Sequence, residues 1–187
     1  MRISLFFLFA LAADAVAADF RALDLGGNCA AITAFEESVG SHELPWQGAE
    51  GFEGYSFEGR VFDRIVSVNY FCREGHLDSG HYVFPQENLD SAVESYRRLH
   101  EELVKIYGSP FLDNTPWPVG GAPKDPRAIQ PEAREYLTSW RAGSLWISAA
   151  VMQGASTEYA GWRVIVVYRK LPEEARSNKS LERTRAR

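Results

Sequence analysis

Long apolar runs and cysteines are in short supply in this chain, and its 20 Lys and Arg are outnumbered by 25 Asp and Glu. Beyond its first residues, no stretch of the 187 approaches the roughly 18 apolar residues a membrane-spanning helix needs. Stable membrane insertion of the body of the chain is therefore not expected. The formal charge of −5 offers little to phosphate backbones or anionic lipid, which argues against nucleic acid and membrane surfaces as main partners. Nucleotide and metalloprotease signatures are missing too: there is no P-loop, no dinucleotide fingerprint and no zinc-protease helix. No cofactor is expected.

What is present begins with residues 1–17. Arg2 supplies a short positive region, residues 3–13 form an apolar core, and Ala15-Val16-Ala17 gives the small-x-small pattern of a signal-peptidase site. The expectation is an exported protein, periplasmic or secreted, whose mature chain starts at Ala18. Residues 18–172 then form one domain, large enough to bury a core without metals or many disulfides. The tail, 173–187, has five basic and three acidic residues and no aromatics, and is expected to be disordered. Its net +2 leaves the remainder of a −5 chain near −7.

An even pair of cysteines in an exported domain predicts a single disulfide, Cys29 to Cys72. The loop it would close is about 40 residues, for which chain-entropy models give on the order of 3–4 kcal/mol. Asn28 precedes Cys29 where a lipid-attachment site needs a small residue, so a released soluble product is expected rather than a lipid-tethered one.

Hydrophobic spacing places the elements. Asn28 is the expected N-cap of a helix over 29–39, with Ile32, Phe35 and Val39 on one face. Alternation predicts strands from Tyr55 to Val61, over 64–73 and over 76–84, the last interrupted at Asp78-Ser79-Gly80, with a turn at Glu74-Gly75. Ser91-Ala-Val-Glu94 reads as a capping box for a second helix, with Ala92, Tyr96, Leu99, Leu103 and Ile106 inward and Glu94/Arg98 and Glu101/Lys105 paired outside. Gly108 and Pro110 stop it. Residues 109–131 hold six of the nine prolines and read as a long irregular loop. Three more strands follow, over 136–141, 144–152 and 162–169. The expected fold class is α+β: an antiparallel sheet with two helices on one face, in the order α-β-β-β-α-β-β-β.

Several segments follow one another in a familiar order. They include Phe20, the helix at Cys29, Tyr55-Ser-Phe-Glu58-Gly59, Val68-Asn-Tyr70-Phe71 and Gly80-His-Tyr82-Val83-Phe84. Leu99…Leu103…Ile106-Tyr107-Gly108-Ser109-Pro110, Trp117, Ser139-Trp140 and Val166-Val167-Tyr168 continue the series. Together they resemble a family of exported bacterial proteins of unknown function. The tandem helix-plus-sheet plan is also similar to the beta-lactamase-inhibitor protein fold and, more distantly, to small outer-membrane assembly lipoproteins. The shared residues are aromatics, Gly and Pro, so the resemblance implies fold and compartment and carries over no catalytic residue.

The search for chemistry turns up weak candidates. His76, Asp78 and His81 surround one predicted hairpin, and two imidazoles with a carboxylate could bind zinc, though their spacing matches no established ligand motif. A metal-dependent or other hydrolase built on them is the alternative reading. His42 and His100 read as boundary or surface residues. Ser56 lies one residue out of register for a G-x-S-x-G elbow and within a strand. Gly48, Gly51 and Gly54 sit in an acidic loop that would repel phosphate, and Glu50, Glu53 and Glu58 read as a solvated cluster.

The aromatics are more informative. If Val164, Val166 and Tyr168 face the helices, Ile165 and Val167 face the other side, and Trp146 and Met152 oppose Leu145, Ile147 and Val151. Both faces of the sheet thus carry large apolar groups. Either the proline-rich loop and termini cover the second face, or it is a contact surface. The favoured expectation is a non-enzymatic exported binding or accessory module in which Trp140, Trp146, Trp162 and the 109–135 loop form or border a surface for another envelope or extracellular protein.

Overall fold

The computed structural model describes residues 20–46, 52–114, 136–154 and 161–171. The expected leader at 1–17, residues 115–135 of the proline-rich segment and the tail at 173–187 lie outside the described residues.

A 3₁₀ turn, Cys29–Ala31, leads into helix α1, Ile32–Ser38. Asn28 caps the turn as expected, its side chain accepting the Ala30 N–H at 2.9 Å. Four strands follow: β1 His42–Leu44, β2 Glu53–Val61, β3 Arg64–Arg73 and β4 His76–Gln86. Helix α2, Leu89–Tyr107, precedes four more: β5 Leu112–Asn114, β6 Leu137–Ala142, β7 Leu145–Gly154 and β8 Gly161–Lys170. Each of the two tight hairpins of the first half turns on a pair of residues with positive φ, Phe62-Asp63 (48° and 60°) and Glu74-Gly75 (52° and 76°). That geometry matches the right-handed twist of the flanking strands.

All eight strands form one antiparallel sheet in the order β1-β2-β3-β4-β8-β7-β6-β5. The class is α+β, but the element order differs from the expected one by two strands, β1 and β5. Each is three residues long, too short for alternation to register, and each lies at an edge. The chain is thus two units of a helix followed by a four-strand meander. The units join where β4 pairs with β8, from Ser79↔Arg169 to Gln86↔Trp162. The expected interruption of β4 is a bulge: Cys72 pairs with Leu77 and Phe71 with Ser79, leaving Asp78 as the extra residue.

The core is built on one row of the sheet. Tyr70, Gly80 and Tyr168 are in register across β3, β4 and β8. Phe20 lies over this row, its ring centroid 5.2, 4.7 and 5.3 Å from those of Tyr70, Tyr82 and Tyr168. Only glycine fits at position 80, because a Cβ there would stand 2.2 Å from the Phe20 ring. From α1, Glu36 accepts a hydrogen bond from the Tyr70 hydroxyl; from α2, Tyr107 approaches Tyr168.

Both helices present a slightly different face from the expected one. On α1, Ile32 and Glu36 are buried while Val39 is 51% exposed. On α2, Ala92, Val93, Tyr96, Leu99 and Leu103 are buried, whereas Ile106 is 53% exposed. The capping box also shifts: Asn88 is the N-cap and Ser91 its reciprocal partner. Glu94 pairs with Arg98 as expected and also with Arg97, whereas Glu101 pairs with Arg97 and Lys105 with Glu102 in place of the expected Glu101/Lys105 pair.

Cys29 and Cys72 stand at disulfide distance, with Cα atoms 6.4 Å apart across a sequence separation of 43. Backbone pairing aligns them. Cys29 N–H donates to Gly75 C=O at 2.9 Å, and Gly26 and Gly27 exchange bonds with Leu77 at 2.7 and 2.9 Å.

Candidate functional site

Strand alternation leaves a second face made of the other half of each strand. His81 is in register with Asn69 and Val167, and Val83 with Ser67 and Ile165. His81, Phe71, Val83 and Ile165 line a cavity of about 600 Å³ together with Trp46 and Trp162. Gly54 makes room for Trp46, since a Cβ there would meet the indole at 2.3 Å and the Tyr70 carbonyl at 2.4 Å. Rings then stack along the floor: Trp46 and Phe52 meet Phe71 edge-on at 5.0 and 6.0 Å, and Phe71 lies 4.3 Å from the His81 ring. Ser56 donates to Asn69 Oδ1 at 2.7 Å, so the one serine near a G-x-S-x-G pattern is engaged inside the sheet.

His81 is unusual among these groups. Its Nε2 is buried and has no hydrogen-bond partner among the described residues. Burial and, secondarily, the charge of Arg169 push its pKa down to about 4. The imidazole is therefore neutral at physiological pH and able to accept or donate one bond, but not to carry charge. A consequence for stability follows. Above pH 6.5 neither state is protonated, and the site has no effect. As pH falls from 6.5 towards 4 the unfolded chain takes up a proton that the folded one refuses, so stability declines by about 1–3 kcal/mol. His81→Phe is expected to remove that part of the decline in denaturant titrations across pH 4–7. A variant as pH-sensitive as the parent would contradict the assignment.

A second cluster lies beside the first. Trp146 meets Phe111 edge-on at 5.1 Å, and the Arg141 guanidinium sits 4.6 Å from the Phe111 centroid and 5.4 Å from that of Trp146. Arg73 lies 4.9 Å over Phe52. Phe52, Arg73, Trp146 and Arg169 share a cavity of about 800 Å³ with His76 and Asp78.

The residues singled out by sequence are thus divided. Trp146 and Trp162 are half-buried and each lines a cavity. Trp140 is fully buried, its Nε1 donating to the Gly108 carbonyl at 3.0 Å, so it braces the core instead of lying on a surface. His76, Asp78 and His81 are not brought together: His76 Nδ1 lies 3.2 Å from the Gly26 carbonyl, Asp78 sits in the bulge, and His81 lines the other cavity. The described residues contain no group of three metal-capable side chains. His42 is exposed on β1, and His100 lies on α2 with Nε2 3.5 Å from Asp113 Oδ2. Glu53 and Glu58 are exposed on β2, and Glu50 lies outside the described residues.

Sequence reasoning missed the Trp46–Phe71–His81 floor and the buried Glu36. Alternation does place Phe71 and His81 on the face opposite Tyr70 and Tyr82, and that was the available signal. Trp46 carries none, because its position depends on the space left by Gly54. No protein-family model, curated protein or solved structure matches this chain at a significant level.

Proposed function

We propose that this chain is a non-enzymatic exported binding module that contacts another envelope or extracellular protein through the His81 face of its sheet. In this reading both helices cover the Tyr70–Tyr168 side, which leaves the other side for contact. The observation that carries it is the pair of aromatic-walled cavities on central strands β3, β4, β7 and β8, where Trp46, Phe71 and Trp146 remain half-exposed. Half-exposed indoles on a rigid sheet are efficient anchors, because they bury much area and lose little rotamer entropy. The leader-like residues 1–17, the Cys29–Cys72 pair and the resemblance to exported bacterial proteins support the compartment.

Trp146→Ser provides the test. The indole donates to Ser148 Oγ at 2.7 Å but lies outside the buried core, so the variant is expected to melt close to the parent. It is also expected to lose the protein captured by the parent from the native envelope or medium. If melting collapses, Trp146 is a packing residue; if capture is unchanged, the contact surface lies elsewhere.

A further inference from the structure

The His81 face is cationic although the chain is acidic. Alternation places Arg60, Arg73, Arg141, Arg163 and Arg169 on it, against Glu58 on the strands, with Asp78 in the bulge and Glu74 in the adjoining turn. Arg141, Trp146, Arg169, Ser79 and Phe71 form one registered row across five strands. Neighbouring strands are about 4.8 Å apart, so two arginines bracket an indole within about 10 Å. Among the described residues no carboxylate comes within salt-bridge distance of Arg73, Arg141 or Arg169, and all three are exposed. Arg73 and Arg141 rest on aromatic rings, which orients their planar forks at little entropic cost.

We propose that this face takes an acidic segment of a partner protein that carries a tyrosine, with the carboxylates on Arg141 and Arg169 and the phenol ring in the cavity beside His81. The proposal rests on the binding-module reading. Arginine forks match carboxylates in bidentate geometry. The cavity beside His81 is walled by Trp46, Phe71, Val83, Ile165 and Trp162, which favours an aromatic side chain. Ser67, half-exposed and in register with Val83, lines the same cavity, and its hydroxyl can pair with a phenol hydroxyl that a phenylalanine lacks. Nucleic acid fits less well. Its charge repeats along the whole polymer, whereas this patch is short, bounded by Glu58, Glu74 and Asp78, and set in a chain of net charge −5.

The test is calorimetric titration of the full chain with a synthetic random copolymer of glutamate and tyrosine. Polyglutamate, oligothymidylate and dextran sulfate serve as comparisons. The copolymer is expected to bind at least about tenfold tighter than the other three. Arg141→Gln with Arg169→Gln is expected to weaken it about tenfold or more at an unchanged melting temperature. Ser67→Ala is expected to lower affinity for the copolymer and leave polyglutamate unaffected. Equal or tighter binding of oligothymidylate or dextran sulfate would overturn the proposal, as would unaltered binding by the double arginine variant. If no polyanion binds while Trp146→Ser still loses its captured partner, the acidic-partner inference fails and the binding-module reading stands. If the capture itself does not depend on Trp146, that reading fails first.

Discussion

Glu36→Ala is expected to cost about 3–5 kcal/mol, because it strips a buried network of its only carboxylate and leaves a guanidinium behind. The Glu36 side chain is 0% exposed, and Arg21, at 12%, reaches it through Nε at 2.8 Å and Nη2 at 3.0 Å. The Ser41 and Tyr70 hydroxyls donate to the remaining positions. Burial first, and the bond to Glu36 second, raise the Tyr70 pKa well above the ordinary phenol value, so its hydroxyl stays a donor across the accessible pH range. This network ties the segment before α1 to α1 and β3. It also holds Arg21 and Ala22 at φ of 47° and 64°, a conformation that costs energy and needs fixed partners. Tyr70→Phe, which removes one bond and keeps the ring, is expected to cost less, about 1.5–3 kcal/mol. Equilibrium denaturation at constant pH checks both. A loss below about 1 kcal/mol for Glu36→Ala would mean that the network adds nothing to stability.

The second large effect centres on Phe20. Removing its ring as Phe20→Ala is expected to cost about 3–5 kcal/mol, since three tyrosine rings enclose it at 1% exposure. Gly80→Ala attacks the same contact from below. Its methyl would stand 2.2 Å from the ring and force it out, at an expected cost of about 1–3 kcal/mol. The two substitutions should couple, because the new methyl occupies part of the space that Phe20→Ala vacates. The double variant is therefore expected to lose less than the two single losses together. Strict additivity in a double-mutant cycle would show that Phe20 does not rest on Gly80.

These contacts also explain what could be read from the sequence. The long strands and α2 were legible because alternation and the 3.6-residue period repeat within each segment, and Cys29–Cys72 because two cysteines allow one pairing. Strands β1 and β5 were not, since three residues carry no period and their pairing is decided by a neighbour distant in sequence. Val39 and Ile106 continue an apolar spacing past the point where the sheet can receive it, so both end in solvent. Glu36 repeats the position of Ile32 one turn later, but its burial depends on Arg21 and Tyr70 arriving from outside the helix. The candidate site was half legible. Trp146 was found through the two-faced strands; Trp162 shares the parity of Val164 and packs partly against the core while its edge lines the cavity, and Trp140 was grouped with them because composition does not reveal which side of β6 meets α2. The arginines of the His81 face escaped notice because they are scattered over β2, β3, β6 and β8 in sequence and converge only through strand register.

Val164 and Ile165 are neighbours on β8 that face opposite sides of the sheet, one fully buried and the other half-exposed. Thermal melting of Val164→Asp beside Ile165→Asp therefore tests most directly whether the His81 face is an open surface. The account predicts that Val164→Asp abolishes cooperative melting, because it buries an unpaired charge. Ile165→Asp should lower the melting temperature by no more than about 4 °C, the effect of roughly 1 kcal/mol in strand preference. Equal collapse of both variants would show that the His81 face is part of the core, and would contradict its assignment as a contact surface.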